Sequence, residues 1–465
     1  MCLTSLSPMP KPIPEPLAMP GWPPLLWLVS LVVVVYANSW WGVFQFDDYN
    51  VIVDLDSVHS LSAWWLDGGQ GIRPVLKLSY ALNWVSGLGV AGFHGVNLAI
   101  HALTTGVVFQ LMRRLLVAWN VEGPRNAWAW TGAALFAVHP AHTEAVTYIC
   151  GRSSSLMALL YLTGLNLHLG ASKQRQKWAK WGVPACFVMA LGVKETAVTF
   201  PLALLLTDLS CGGNWKASCK REWRSWAVLL LALAVFVMND AYRATMVRSL
   251  EFNTPAGSLA TQLAALPYFL RQYVLPLWLN IDPDLTVQQD FSGVLPGVVL
   301  LGCFAAIGVH FRRSQPWIAF ALAWFVLHVL PLHALLPRLD VANDRQLYLA
   351  SWPLNLALCV VVVQWLPTRL ARTALGIWIA GWAVLGLVRN QDYSSEVALW
   401  EQTVLVSPQK SRAHNNLGFA YAQAGRAAEA RREYLVALRL DPSNIKARLN
   451  LRRMNAELSG RQPTP

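Results

Sequence analysis

The chain alternates long apolar runs with short basic connections, and this alternation restricts its fold more than any other feature. The runs 24–42, 95–115, 127–141, 154–171, 179–194, 196–210, 225–240, 292–311, 317–335, 346–366 and 373–389 approach the roughly twenty apolar residues that a helix needs to cross a bilayer. Within lipid a helix satisfies all its backbone groups internally. The expected fold is therefore all-α: a polytopic membrane bundle of about eleven transmembrane helices. Only 13% of the residues are charged, against about a quarter in a soluble domain. The net charge of +12 is concentrated in the connections, which favours membrane lipid as a partner and argues against nucleic acid.

The basic clusters set a direction. Arg113, Arg114 and Arg125 form the first, and Lys173, Arg175, Lys177 and Lys180 the second. Lys216, Lys220, Arg221 and Arg224, then Arg312 and Arg313, then Arg369 and Arg372 follow. All share one side if the N-terminus is cytoplasmic. The other side receives Asp47–Asp48, the 139–153 loop, Lys194–Glu195, residues 241–290 and 336–346, and everything after Arg389. Residues 258–280 are apolar enough to cross, but a crossing there would put Arg312 and Arg313 on the wrong side. They are expected to form a re-entrant or interfacial helix on the outer face, interrupted by Pro267 and Pro276. A Pro-rich tail (1–23) precedes a membrane domain (24–390), whose first run has no small-residue cleavage site after it and reads as a retained span. The seven cysteines show neither metal-ligand spacing nor a disulfide framework.

Residues 411–444 fit the 34-residue tetratricopeptide pattern. Leu417, Gly418 and Tyr421 occupy the first helix, Ala430, Tyr434 and Ala437 the second, and Pro442 ends the unit. Trp400, Pro408 and Leu451 stand at the matching positions of two flanking half-repeats. The C-terminal module is thus 394–458, followed by a tail (459–465). One repeat buries little on its own, so this one is expected to lean on the membrane domain or a partner and to recognise protein or peptide.

Acidic residues are scarce on the outer face, so those present draw attention. Asp47 and Asp48 are adjacent carboxylates whose repulsion raises at least one pKa, as suits a general base or a substrate clamp; two solvated aspartates are the bland alternative. His139, His142 and Glu144 are a zinc site, polar pocket lining or an interfacial turn. The arrangement is not HExxH and has no evident fourth ligand. If a divalent cation binds, Asp47, Asp48, His139 and His142 are its candidate ligands. Lys194 and Glu195 form an ion pair or contact substrate. Arg345 either grips a phosphate bidentately or reaches for lipid headgroups. His94, Asn97 and His101 share one helix face, which is expected to meet a polar cavity.

Taken in order, these motifs resemble a known family. Phe46-Asp47-Asp48, Arg73-Pro74-Val75, Leu78-Ser79-Tyr80-Ala81-Leu82-Asn83, Phe93-His94-Gly95-Val96-Asn97-Leu98 and His101-Ala102-Leu103 come first. The run from Leu135 to Val146, containing His139-Pro140-Ala141-His142-Thr143-Glu144, is the most specific; Gly151-Arg152, Lys194-Glu195 and Arg345-Gln346-Leu347-Tyr348-Leu349 complete the set. The membrane part resembles the GT-C glycosyltransferases, and most closely the transmembrane and tetratricopeptide-repeat O-mannosyltransferases. The single complete repeat departs from the many repeats of eukaryotic members and looks like a bacterial relative, with an inner-membrane location and a periplasmic repeat module.

The resemblance implies inverting transfer of a sugar, mannose in relatives, from a polyprenyl-phosphate carrier to a protein Ser/Thr hydroxyl. Asp47 or Asp48 would be the base. Arg345, with Arg152 or Lys194 as alternates, would hold the departing phosphate. Arg73, His94, Asn97, His101, His139, His142, Glu144, Glu195 and Tyr348 would line or shape the pocket. The lipid carrier replaces a nucleotide sugar, in keeping with the lack of a Gly-rich phosphate loop. Competing readings are a transferase acting on a lipid or glycan, a non-catalytic membrane scaffold and, more distantly, a transporter, which would place charges at mid-membrane.

Overall fold

The computed structural model describes residues 22–67, 72–170, 176–288, 290–330 and 341–458. Most of the N-terminal tail, Lys173 and Arg175, residues 331–340 and the 459–465 tail lie outside the described residues. Among the described residues every regular element is helical. The principal helices are α1 (Trp22–Val35), α2 (Pro74–Val85), α3 (Gly89–Ala118), α4 (Arg125–Val138), α5 (Arg152–Leu169), α6 (Gln176–Leu191), α7 (Phe200–Ser210), α8 (Trp223–Met238) and α9 (Asp240–Phe252). They continue with α10 (Pro255–Val274), α11 (Leu295–Phe311), α12 (Pro316–Val329), α13 (Trp352–Trp365) and α14 (Thr368–Gln391). The C-terminal module contributes α15 (Glu396–Val406), α16 (Ser411–Gln423), α17 (Ala427–Leu440) and α18 (Ile445–Leu458). Several helices open with proline in the first turn, where a missing N–H costs nothing: Pro74, Pro255 and Pro316.

Among the described residues two helices, α3 and α14, are long and apolar enough to cross a membrane. Two bent pairs raise that to four if each is one broken span: α8 with α9, bent by 78°, and Asp344–Ala350 with α13, bent by 65°. The helices α1, α6, α11 and α12 are apolar but shorter. Exposed tryptophans mark both ends of the bundle. Trp178, Trp181, Trp215, Trp223 and Trp365 lie beside the basic connections, and Trp41 and Trp65 follow the first helix. Such belts are where amphipathic rings meet lipid headgroups. At the basic end the Trp130 indole donates to Pro24 O at 3.0 Å, and that of Trp119 to Ser210 Oγ at 3.1 Å.

Helix α3 is the central post, burying Val108, Leu111, Met112, Leu115 and Leu116 against its neighbours. The expected polar face of α3 meets protein and not a cavity. Asn97 and His101 are completely buried and tied to neighbouring chain, and His94 lies against Gly42, where a Cβ would stand 2.7 Å from its ring nitrogen.

The segment expected to be broken at Pro267 is one helix. α10 runs through Pro267 and stops at Val274, before Pro276. A proline there deprives the carbonyl four residues earlier, that of Leu263, of its partner and crowds it. That carbonyl points at α11, where a Cβ on Gly297 would come within 1.8 Å of it. Glycine at 297 makes room for the displaced oxygen, so the proline is absorbed by helix packing.

Candidate functional site

The site lies at the end of the bundle opposite the basic clusters and is built from turns. After α1 the chain makes a short 3-10 turn and reaches Phe46, whose φ of 48° is left-handed. This turn separates the two aspartates. Asp48 is fully buried, its Oδ2 accepting from Gln45 N at 3.0 Å and its Oδ1 from Cys150 N at 2.8 Å. Burial pushes its carboxyl up to about 7 despite those donors. Asp47 stays half-buried, with its backbone N–H donating to the Tyr148 hydroxyl at 3.0 Å. Asp48 therefore staples the loop to the 149–151 turn, whereas Asp47 beside it stays half-buried.

That turn is tight because Gly151 sits on Glu144: a Cβ there would be 2.0 Å from the Glu144 carbonyl oxygen. Asp47, Asp48 and Arg345 all lie close enough to Cys150 and Tyr148 to act on them electrostatically. Burial first, and the aspartates after it, push the Cys150 thiol well above its usual range. Glu144 in turn holds Arg345, accepting from its backbone N–H at 3.0 Å and lying 3.5 Å from its Nε.

Arg73 enters from the start of α2, again with a left-handed φ of 57°. The N–H groups of Val75 and Leu76 donate to Gly192 O, which fixes α2 beside the 192–195 turn. Arg73 then forms a two-pronged pair with Glu195, at 2.9 and 2.8 Å. Lys194, next door, donates to Ser154 Oγ at 2.8 Å. Lys194 and Arg345 share the walls of one cleft with Ser154, Thr196, His328 and Gln346, floored by Met157, Leu327 and Leu349.

The remaining sequence candidates sit behind this cleft. Arg152 is completely buried. Its guanidinium donates to Asn97 Oδ1 at 2.6 Å, Ser79 O at 3.1 Å and Phe93 O at 3.0 Å, which leaves it a brace and not a phosphate ligand. Asn97 also donates to Val146 O, and His101 lies between the Tyr348 hydroxyl and Ala137 O. His139 contacts Tyr273 O and accepts from Ala141 N; His142 contacts Phe136 O and Ser351 Oγ. Each ring nitrogen of His139 and His142 thus has a protein partner. Among the described residues no group of three or more His, Cys, Asp or Glu side chains gathers to hold a metal ion.

Sequence reasoning missed Tyr148 and Cys150, which carry the aspartate loop, and Ser154 and His328, which line the cleft. Gly151 was the available signal, since a glycine between two apolar runs marks a close backbone approach. Nothing in the sequence pairs residues 45–49 with the C-terminal module, which the structure brings together.

An apolar helical bundle with a charged cleft at one end and a repeat module beside it defines a membrane-type helical protein of composite build. The tetratricopeptide-repeat family model matches residues 411–444, and the structure forms that repeat from α16 and α17, with Gly418 against the Tyr434 ring. The chain is 26% identical over 453 residues to protein O-mannosyl-transferase F38B6.6 of Caenorhabditis elegans, covering 90% of this chain and 63% of that protein. It is 25% identical over 499 residues to protein O-mannosyl-transferase TMTC3 of Mus musculus, covering 93% and 52%. A shorter stretch of 231 residues is 32% identical to protein O-mannosyl-transferase Tmtc2 of Drosophila melanogaster, covering 45% and 24%. The chain thus spans about half to two thirds of the length of the first two. No solved structure matches it. Its homologues are TMTC-family protein O-mannosyl-transferases, in agreement with the ordered motifs.

Proposed function

We propose that this chain is a membrane glycosyltransferase of the GT-C type that moves mannose from a polyprenyl-phosphate carrier to a protein Ser/Thr hydroxyl on the extracytoplasmic face. The observation that carries the reading is one cleft walled by Arg345 and Lys194, with half-buried Asp47 near enough to act, together with Arg345, on Tyr148 and Cys150. The names of the homologues point to the same reaction class. In this reading the shorter apolar helices α1, α6, α11 and α12, with α4, α5 and α7, bring the crossings to about eleven, with the N-terminus cytoplasmic and the repeat module outside.

Asp47 removes the proton of the acceptor hydroxyl as its oxygen attacks the anomeric carbon, and the bond to the carrier phosphate breaks on the opposite face with inversion. General-base assistance of this kind is worth about 10²–10⁴-fold. Arg345 and Lys194 stabilise the charge that develops on the departing phosphate, and the apolar floor of Met157, Leu327 and Leu349 suits the start of the lipid chain. Arg73 and Glu195 hold the cleft's rim, and Asp48 fixes the loop from which Asp47 projects.

The test is sugar transfer from labelled polyprenyl-phosphate-mannose by purified protein, with acceptor peptides and with lipid or glycan acceptors in parallel. Transfer to peptide that disappears in Asp47→Asn supports the reading. Transfer only to lipid or glycan replaces the acceptor, and no transfer from any polyprenyl-linked sugar ends the enzyme reading in favour of a scaffold.

A further inference from the structure

The C-terminal module touches the loop that carries Asp47. The Phe46 ring meets the Trp400 ring edge-on, with centroids 5.2 Å apart and an interplanar angle of 80°. Trp400 lies on α15, the half-repeat that precedes the complete repeat, and is 1% exposed. Two further contacts repeat the pattern. Gln45 Nε2 donates to Tyr393 O at 2.5 Å. Tyr393 stacks on Tyr148 at 6.3 Å, and the Tyr148 hydroxyl accepts from Asp47 N. Residues immediately before α15 and on it therefore contact Gln45 and Phe46 directly and Asp47 through one tyrosine.

The platform is itself anchored. Arg412 forms a two-pronged pair with Asp282 at 2.7 and 2.6 Å, and Asn280 Nδ2 donates to Ser407 Oγ at 3.0 Å. Both partners belong to the connection after α10, so the module is clamped on two sides. The loop it grips is strained. A bulky residue at positive φ is uncommon and persists only where its surroundings over-determine it. Two parts of those surroundings act on Phe46 itself, one residue from the carboxylate: the ring of Trp400 and, from the same helix, the Glu396 carboxylate, which accepts from the Phe46 backbone N–H.

We infer that Trp400 is a positioning residue for transfer: through Phe46 it holds the backbone that aims Asp47, which makes α15 part of the catalytic unit and not only a recognition arm. This rests on the assignment of Asp47 as the base. A carboxylate displaced by about 1 Å loses on the order of a hundredfold in rate. The donor is held in this reading by Arg345 and Lys194, which line the cleft, and the Phe46–Trp400 contact is made by neither.

The experiment is a double-mutant cycle on full-length protein in detergent, read as kcat and donor KM with labelled polyprenyl-phosphate-mannose and a Ser/Thr peptide. Trp400→Ala is expected to lower kcat about ten- to a hundredfold with donor KM within about twofold. Phe46→Gly keeps the left-handed turn without strain but removes the ring, and should show a similar loss. The double variant should be no worse than either single one, because both remove the same contact. Trp400→Phe, which restores an aromatic edge, should recover most of the turnover. Additive losses, a loss carried by donor KM, or no rescue by Trp400→Phe overturns the inference and leaves the base assignment standing. Full turnover in Asp47→Asn, run alongside, removes both.

Discussion

The two ends of the bundle handle charge in opposite ways. At the basic end His168 lies between two carboxylates, with Nδ1 at 2.9 Å from Glu222 and Nε2 at 2.8 Å from Asp208; Asp208 also accepts from Arg221 and Ser218. These groups close on one another, locking the ends of α5 and α7 to the connection before α8. At the other end Lys194 and Arg345 line a cleft, with the Arg73–Glu195 pair next to Lys194 and Glu144 on Arg345. Left-handed backbone stands at Arg73 itself and at Phe46, the residue before Asp47. Charge in an apolar bundle is costly and is retained as a lock or as a site. Here the difference lies in whether the charges surround space and whether strained turns carry them.

The comparison breaks most sharply at Asp47. Asp47→Asn should lower turnover about 10²–10⁴-fold, the range of a lost general base, while the thermal unfolding midpoint of the purified protein stays put. A stable variant with normal turnover would place the base elsewhere. Arg345→Gln comes next. Loss of charged hydrogen bonds to phosphate, about 1.5–3 kcal/mol, should reduce kcat/KM for the lipid-linked donor about ten- to a hundredfold. Equal losses for donor and acceptor peptide would point to a folding role through Glu144 instead.

Asp48 sharpens the contrast between adjacent carboxylates. Asp48→Asn keeps one accepting oxygen but turns an amide toward the second backbone N–H, a stability cost of about 1–3 kcal/mol. Its pH dependence has a definite sign. Burial raises the carboxyl from 3.8 to about 7, so the folded protein binds this proton more tightly than the unfolded chain. That contribution is complete below the unfolded value and is lost as pH rises through about 7. Unfolding midpoints measured between pH 4 and 8 should fall with pH more steeply in wild type than in Asp48→Asn. Parallel curves would show that Asp48 is ionised throughout.

Much of this was legible beforehand because it depends on local pattern. Apolar runs mark helices, and the positions of Gly418, Tyr434 and Pro442 mark the repeat. The alternation of runs and basic connections put the polar motifs on one side, but not which of their loops meet. Roles within the motifs were not legible. Asp47 and Asp48 differ only through the left-handed turn at Phe46, and no residue pattern predicts that an aromatic will adopt it. Arg152 reads as a phosphate ligand until Asn97, Ser79 and Phe93 are seen to take its donors. The continuity of α10 depended on Gly297, thirty residues after Pro267 along the sequence. The grip of Trp400 on Phe46 spans the membrane domain's whole length in sequence and leaves no trace in either segment.

The smallest effect on catalysis is expected at the basic end, where a change tests whether the lock is only a lock. Asp208→Asn removes the charge that faces His168 and Arg221 but keeps an oxygen able to accept one of their N–H groups. His168 retains Glu222 on its other nitrogen, so the pair is weakened and not emptied. The expected cost is on the order of 1–3 kcal/mol of stability, read as a lower unfolding midpoint. Turnover at a temperature well below that midpoint should change by less than about twofold, because none of these groups approaches the cleft. A large loss of turnover with the midpoint unchanged would mean that the ends of α5 and α7 transmit to Ser154 and Lys194. The two ends would then be one device, and the contrast between them would fail.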